Sequence, residues 1–181
     1  MKPDVTIRKC GPDAAAALAL VGQATFLETF AGIIDGRDIV AHCLKQHAVE
    51  KYRGWLGDPG SHAWLAEVGP GLAPVGYLVL TKPDLPLPDL GPGDLEVKRI
   101  YLLSRFQGGG IGRNLMRAAE AVARGAGVRR LLLGVYSGNA AAIAFYRRLG
   151  YVQAGERSFQ VGATTYHDLV FAVTLADAAG A

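Results

Sequence analysis

The chain has 181 residues, of which 50% are apolar, 19% are charged and 2 are cysteines, and its net charge is +3 at pH 7. That length fits one domain with a core that needs no disulfides, and Cys10 and Cys43 are too few for a disulfide framework and lack the spacing of a structural zinc site. No apolar run approaches the roughly 20 residues that span a bilayer, and the cationic excess is too small to favour nucleic acid as a partner. We therefore expect a single cytoplasmic domain over residues 1–181, with no membrane and no nucleic-acid partner.

Before residue 82, hydrophobic periodicity and capping residues predict a strand, three helical segments and two further strands. In chain order these are a strand from Val5, a helix from Pro12 to about Phe30, a helix after Asp35, a short helical piece at 52–56, and strands at 63–68 and 75–81. Residues 82–93 contain four prolines among Asp and Gly, which indicates a surface loop.

The second half of the chain alternates strands and helices. The expected elements are a strand at 95–103, a helix at 111–126, a strand at 131–135, a helix from Asn139 to Leu149, and strands at 151–160 and 165–173. This order predicts an α/β or α+β domain with a mixed sheet.

A glycine-rich segment, Gln107-Gly108-Gly109-Gly110-Ile111-Gly112, joins a predicted strand to a predicted helix. Glycines there let backbone N–H groups approach an anion closely, and the helix dipole adds a positive end. Residues 97–130 hold 8 basic and 1 acidic side chain, which favours either an anionic ligand or a solvated basic face. The spacing fits neither a dinucleotide fingerprint nor a Walker loop, because Gly112 is followed by Arg113 and Asn114. A glycine-rich turn without any ligand is the structural alternative.

Two motifs stand out in the second half of the chain. The first is Ile100-Tyr101-Leu102, a spacer of four residues, and Gln107-x-x-Gly110-x-Gly112 at the start of a helix. The second is Asn139-Ala-Ala-Ala-Ile143-Ala-Phe145-Tyr146 followed by Leu149-Gly150-Tyr151. Together they resemble the signature of the GNAT superfamily of acyl-CoA N-acyltransferases. The less distinctive first half, with Gly76-Tyr77, is most similar to the polyamine and small-amine branch.

The resemblance implies a GNAT fold, in which a mixed sheet of six to seven strands is splayed at the cofactor site and flanked by about four helices. It implies an acetyl-CoA-binding core at about 94–151 and direct acetyl transfer to a primary amine, such as a polyamine or a peptide amine. Neither a metal nor a covalent enzyme intermediate is required. Family members are often dimers, so the resemblance is compatible with a homodimer.

The resemblance also assigns acetyl-CoA-binding residues. In the family, the cofactor arm pairs with the strand backbone, the pyrophosphate lies on the glycine-loop N–H groups, and the asparagine bonds the arm. The positions implied are Ile100, Tyr101, Leu102, Gln107, Gly108, Gly109, Gly110, Ile111, Gly112, Arg113, Asn139 and Tyr146. Position 109 is often Lys or Arg in the family and is Gly in this chain, so backbone amides and nearby arginines must replace that cation.

Two catalytic roles follow from the resemblance. Tyr146 stands where the family has a donor near the sulfur, and the backbone N–H of Leu102 would polarise the thioester oxygen. The structural alternative for Tyr146 is a core aromatic, since Ala142 and Leu149 share its helical face. Glu96 is the candidate base, working through water; alternatively it is an exposed strand residue paired with Lys98 or Arg99.

Other polar residues are weaker candidates. Some family members place a basic glutamate where this chain has Gly134, and His167 and Asp168 are less favoured as bases. A metal site at His42, Cys43 and His47 lacks further ligands, so a buried thiol beside surface histidines is the preferred interpretation. Asp35 and Asp38 either cap a helix or attract a cationic amine.

Two other functional classes remain open at this point. One is a non-catalytic acyl-CoA-binding sensor or regulatory module. The other is a nucleotide-binding protein that uses the glycine loop, which the missing Lys-Ser/Thr disfavours.

Overall fold

The computed structural model describes residues 4–162 and 164–175. The α-helices in these residues are α1 (Ala15–Phe30), α2 (Gly36–Gln46), α3 (Val49–Gly57), α4 (Ile111–Gly125) and α5 (Ala140–Arg148), with short 3-10 turns at Pro12–Ala14 and Ser104–Phe106. The strands are β1 (Val5–Lys9), β2 (His62–Val68), β3 (Ala73–Thr81), β4 (Asp94–Leu102), β5 (Arg130–Tyr136), β6 (Val152–Val161) and β7 (Thr164–Thr174). Each predicted helix and strand is confirmed to within a few residues.

The strands form one mixed sheet in the order β1-β2-β3-β4-β5-β7-β6. The predicted mixed sheet is therefore confirmed, with seven strands. None of the helices within the described ranges combines the length and hydropathy needed to cross a membrane.

The chain divides into two compact units, of which unit 1 comprises Met1–Val79 and Arg99–Met116. In unit 1, β1 runs antiparallel to β2, in a register that pairs Val5 with Val68 and Lys9 with Trp64. Its core joins α1 and α3 to the inner faces of the strands; the buried members are Ala14, Ala15, Leu18, Ala19, Val21, Tyr52, Ala63, Leu65, Tyr77 and Val79. The Ala-rich surface of α1 leaves room for the large aromatic side chains of this core.

Unit 2 comprises Leu80–Lys98 and Arg117–Ala181. Its strand β7 lies between β5 and β6 and is antiparallel to both. The proline-rich segment 82–93 is a loop, as predicted, yet its Leu85 is only 3% exposed and packs with Leu132 and Val170. This loop therefore contributes to the core of unit 2.

Strands β4 and β5 pair in parallel over a short ladder. The register joins Asp94, Leu95 and Glu96 to Arg130, Leu131 and Leu132. Both strands continue beyond it, β4 to Leu102 and β5 to Tyr136. Within the described residues, the ladder between β4 and β5 ends at Glu96. It therefore does not engage the backbone groups of the later β4 residues.

Candidate active site

The glycine-rich segment forms a tight turn between β4 and α4 in unit 1. The side-chain amide of Gln107 donates to the carbonyl oxygen of Leu102 at 2.9 Å and ties the turn to the end of the strand. Gly108 and Gly110 have φ of 77° and 87°, a region that side chains with a Cβ adopt only under strain. The sequence therefore has glycine at the two positions where this turn requires it.

The N-terminal end of α4 presents unpaired backbone donors. At this end, the N–H of Asn114 donates to the carbonyl of Gly110 at 3.0 Å. The N–H groups of the preceding first turn therefore lie before the intrahelical ladder begins. A Cβ added at Gly108, Gly109 or Gly110 would meet no atom within 4 Å, so the approach is open. Such a donor set is suited to binding an anion.

The β4 residues before the turn are held by close contact with β3. The N–H of Leu103 donates to the carbonyl of Val75 at 2.9 Å. A Cβ at Gly76 would lie 2.8 Å from the carbonyl oxygen of Tyr101, so only glycine permits this approach. Ile100, Tyr101 and Leu102 are all half-buried, and their backbone is fixed on the β3 side.

The remaining residues of the predicted cofactor loop lie at or near the surface of unit 1. Ile111 and Gly112 are half-buried at the start of α4, and the side chain of Arg113 is exposed. Gln107, Gly108, Gly109 and Gly110 are exposed as well. The predicted residues 100–113 are thus brought together in one segment, whereas Glu96, Asn139 and Tyr146 belong to unit 2.

Asn139 is the N-cap of α5, as predicted. Its side-chain oxygen accepts a hydrogen bond from the N–H of Ala142 at 3.0 Å. This bond satisfies one of the open donors of the helix and fixes the orientation of the side-chain amide. A ligand would therefore meet Asn139 through its amide nitrogen, which can only donate.

Tyr146 is 7% exposed and lies among aromatic rings. Its ring centroid is 5.3 Å from that of Phe145 and 6.0 Å from that of Tyr151, both at steep angles. Packing of this kind holds the ring in one orientation. The burial of Tyr146 therefore fits both alternatives, a core aromatic residue and a hydroxyl donor held in one orientation.

Glu96 is 1% exposed, so the alternative interpretation is wrong about its exposure, although the pairing with Lys98 is present. The backbone N–H of Asp84 donates to its Oε2 at 3.0 Å, and the Nζ of Lys98 lies 3.3 Å from its Oε1. Alternation along β4 places Lys98 on the same face as Glu96 and Arg99 on the opposite face. Burial raises the pKa of Glu96, although Lys98 and the Asp84 N–H act in the opposite direction.

The position of Gly134 on β5 is filled by another residue. A Cβ on Gly134 would lie 2.9 Å from Nη2 of Arg157, whose guanidinium occupies that space. The same guanidinium donates to Oδ2 of Asp168 from Nε at 3.0 Å and from Nη2 at 2.8 Å. Asp168 is 5% exposed, and burial raises its pKa despite this pairing. Its ion pair makes Asp168 a structural partner of Arg157.

The histidines of α2 and its C-terminus are not both at the surface, which corrects the sequence-based interpretation. His47 is 1% exposed, and burial lowers its pKa to about 2. His42 stacks on Phe26 at 4.2 Å, and burial lowers its pKa to about 4. Cys43 is a half-buried free thiol. Within the described ranges, no group of three or more His, Cys, Asp or Glu side chains could hold a metal ion.

Two further sequence-predicted residues have simple roles. Asp35 is the N-cap of α2 and accepts from the N–H of Arg37 at 2.9 Å, which confirms the capping interpretation. His167 is exposed, and its Nδ1 lies 3.1 Å from the hydroxyl of Ser158. Sequence patterns missed a polar cluster of His47, Tyr52, Tyr77 and Arg99, because Tyr77 and Arg99 are distant in the chain from the other two.

Comparisons with known proteins show the family of this chain. The model of the acetyltransferase (GNAT) family matches residues 33–151. The uncharacterized N-acetyltransferase in the pepI 3′ region of Lactobacillus delbrueckii subsp. lactis is 32% identical over 142 residues, which are 78% of this chain and 81% of that protein.

Solved structures show the same fold. PaiA N-acetyltransferase from Thermoplasma acidophilum, in complex with coenzyme A, has a TM-score of 0.73 and 18% identity, covering 95% of this chain and 99% of that one. Ribosomal-protein-alanine N-acetyltransferase from Brucella melitensis has a TM-score of 0.71 and 26% identity, covering 94% and 99%. With its motifs, sheet and family match taken together, the chain belongs to the GNAT family of acetyltransferases and is an N-acetyltransferase.

Proposed function

We propose that the protein transfers an acetyl group directly from acetyl-CoA to a primary amine. The acceptor is a small molecule, such as a polyamine, or a peptide amine. The observation that carries this proposal is the open turn at Gly108 and Gly110, where positive φ angles precede the N-terminal donors of α4. The coenzyme A complex of the structurally similar PaiA protein supports the choice of cofactor.

The residues proposed to hold acetyl-CoA are those of β4, the glycine turn and the first turn of α4. The backbone of Ile100, Tyr101 and Leu102 pairs with the extended arm, because the ladder to β5 ends before these residues. The N–H groups of residues 108–112 bind the pyrophosphate, with the exposed cation of Arg113 beside them. Acetyl-CoA, when bound, supplies an acetyl group activated as a thioester.

Glu96 is the proposed base. An amine with a pKa of about 10 is protonated at neutral pH and must lose a proton before it can attack. The raised pKa of Glu96 lies closer to neutral pH than that of an ordinary carboxylate. A general base is most effective when its pKa is near the pH at which the enzyme works. Because Glu96 is buried, we propose that a water molecule carries the proton to it, as the family resemblance implies.

Tyr146 is the proposed donor to the departing thiolate, and the N–H of Leu102 polarises the thioester oxygen. The aromatic neighbours Phe145 and Tyr151 fix the Tyr146 ring, so its hydroxyl needs little reorganisation to donate. Asn139 donates its side-chain amide to the cofactor arm. No covalent intermediate on the enzyme and no metal is invoked.

The test is thermal unfolding with and without acetyl-CoA, followed on the same sample by free-thiol release with a panel of amines. The panel contains spermidine, free amino acids, an aminoglycoside and a short peptide. Stabilisation by acetyl-CoA together with turnover on one amine class is the expected result. Stabilisation without turnover would favour the non-catalytic sensor, and no stabilisation would contradict the cofactor assignment.

We further propose that both units belong to one N-acetyltransferase domain, because the family match at residues 33–151 includes residues of each. The free thiols of Cys10 and Cys43 support a reducing, cytoplasmic location. Sedimentation of the purified chain tests the homodimer that the resemblance allows.

A further inference from the structure

A cluster of buried polar side chains lies behind β4 in unit 1. The hydroxyl of Tyr52 lies 2.9 Å from Nδ1 of His47 and donates to the hydroxyl of Tyr77 at 3.3 Å. Nη1 of Arg99 donates to the Tyr52 hydroxyl at 2.9 Å and lies 3.3 Å from Nδ1 of His47. His47, Tyr52 and Tyr77 are each at most 1% exposed, whereas Arg99 is half-buried and reaches solvent.

The absence of a side chain at Gly22 leaves room for this cluster. A Cβ on Gly22 of α1 would overlap both the Tyr52 hydroxyl and Nδ1 of His47. The side-chain amide of Gln23 donates to the carbonyl of His47 at 3.1 Å and fixes the end of α2. The position of the Arg99 guanidinium is therefore set by groups from α1, α3 and the end of α2.

The cluster carries one positive charge and no negative charge. Burial lowers the pKa of His47 to about 2, and burial raises the pKa of both Tyr52 and Tyr77, so all three are neutral at pH 7. Within the described residues, Arg99 forms no ion pair with any carboxylate. The nearest acidic residue on its strand, Glu96, faces the other side of β4. A half-buried guanidinium without a carboxylate is unusual, since buried charges are normally paired.

Two of the three guanidinium nitrogens of Arg99 donate no hydrogen bond within the described residues. Both of its hydrogen bonds within the described residues use Nη1, and these residues offer no acceptor to Nε or Nη2. Its carbon Cζ lies 4.9 Å from the centre of the Trp55 ring and 5.5 Å from that of Tyr52. The result is a planar fork of free donors bordered by aromatic rings, and such a fork matches a carboxylate.

Arg99 directly precedes the β4 residues assigned above to the cofactor arm. At about 3.3 Å per strand residue, its Cα is roughly 10 Å from that of Leu102. The Tyr77 ring continues the cluster to Tyr101, at a centroid distance of 6.1 Å. The distance from an anionic group bound at Arg99 to the end of β4 would therefore be no longer than a small acceptor molecule.

We propose that Arg99 binds a carboxylate of the acceptor, so that the acceptor is an amine that also carries a carboxylate, such as an amino acid. This inference rests on the proposed transferase function and narrows its acceptor class. Trp55 and Tyr52 provide apolar surface for the acceptor next to the carboxylate. A polyamine has no group that pairs with Arg99, and its cationic charge is repelled there.

The experiment measures kcat/KM by thiol release for matched acceptors, using amino acids and their carboxamides, phenylalanine and phenylalaninamide among them, with spermidine as the polyamine. We expect the wild type to favour the carboxylate form by about 10- to 100-fold. Arg99→Gln lowers kcat/KM for the carboxylate far more than for the carboxamide and so removes this preference. Arg99→Lys keeps the charge without the fork and retains part of the preference. Arg53→Gln, which removes an exposed α3 cation paired with Glu50, leaves the preference unchanged.

Several results would overturn the proposal. One is a wild type that prefers carboxamides or spermidine, and another is an unchanged preference in Arg99→Gln. If that variant does not fold, an unchanged preference in Arg99→Lys has the same meaning. Loss of stabilisation by acetyl-CoA in Arg99→Gln, with acceptor preference intact, would assign Arg99 to a cofactor phosphate instead.

A binding measurement separates this inference from the transferase proposal. If the wild type acetylates no acceptor, the proposed function fails, and calorimetry with N-acetylphenylalanine and its carboxamide then decides the anion site. Saturable binding of the carboxylate to the wild type, lost in Arg99→Gln, supports the site. Equal binding by both proteins, or by neither, overturns it.

Discussion

The Nζ atom of Lys98 lies 3.3 Å from Oε1 of Glu96, two residues earlier on the same face of β4. Lys98 also forms an ion pair with Asp84, whose backbone N–H donates to the other oxygen of Glu96. One lysine thus holds a buried carboxylate and a loop carboxylate together. The pKa of Glu96 reflects the balance between burial, which raises it, and this lysine, which lowers it.

Replacing Lys98 tests the role of Glu96 through the pH dependence of the rate. A base acts only when ionised, so activity falls as the pH falls through its pKa. Lys98→Met removes the charge that favours the ionised form, which raises the pKa further and moves the acidic limb of kcat/KM to higher pH. Lys98→Arg keeps the charge, so the acidic limb should stay within a few tenths of a pH unit of its wild-type position. A shift of one unit would need a change of roughly 1.4 kcal/mol in the interaction with the ionised carboxylate.

A limb that does not move in Lys98→Met would exclude Glu96 as the titrating base. Glu96→Gln supplies the complement: it should lower kcat by about 10²- to 10⁴-fold and abolish the limb. Stabilisation by acetyl-CoA should persist in this variant, because Glu96 is not among the residues assigned to the cofactor.

Two neighbouring tyrosines provide a matched pair for the proton-donor role. Tyr146→Phe keeps the packed ring and removes the hydroxyl, so kcat should fall about 100-fold or more while acetyl-CoA still stabilises the fold. The buried hydroxyl of Tyr151 has no hydrogen-bond partner among the described residues. Tyr151→Phe should therefore leave kcat unchanged and stabilise the protein by about 1 kcal/mol in denaturant titrations. Equal rates for the two variants would assign Tyr146 to the core alone.

Substitution of Gly110 tests the turn geometry. Gly110→Ala places a Cβ in open space but at a φ of 87°, so strain and not a clash sets its cost of about 1–2 kcal/mol. The turn should relax, and the affinity for acetyl-CoA measured by calorimetry should fall about tenfold. Gly36→Ala, at the start of α2 and also in open space, is the control and should leave both stability and affinity near wild type. An unchanged affinity in Gly110→Ala would argue against a phosphate cradle.

Position 109 offers a gain-of-affinity experiment. Gly109 is exposed and has open space around it, so a long side chain can be accommodated. Gly109→Lys adds a cation beside the proposed pyrophosphate site and should tighten acetyl-CoA binding about 3- to 10-fold at low salt. The gain should shrink at high ionic strength because the charge is exposed. Gly109→Glu should weaken binding, and a lack of opposite effects would contradict the assignment.

Local sequence signals predicted the parts of the fold that depend on neighbouring residues in the chain. The helix expected at 111–126 is α4; its apolar residues recur at three-to-four spacing, and Leu115, Met116, Ala119 and Ala123 are all fully buried. The glycine-rich turn was predicted from its place between a strand and a helix, and two of its glycines, Gly108 and Gly110, have a positive φ. These features follow from conformational preferences that a short stretch of sequence already contains.

The surroundings of Glu96, His47 and Arg99 depended on distant segments. Glu96 is buried, and its ionisation is set in part by the N–H of Asp84, which a proline-rich loop brings to it. His47 was expected at the surface, but Tyr52 and the small Gly22 enclose it. Spacing along the chain describes periodicity, whereas burial and hydrogen-bond partners depend on which segments meet in space. The sequence by itself determined the elements and the cofactor motif, while the tertiary structure decided the protonation states around them, because desolvation and pairing are set by non-local contacts.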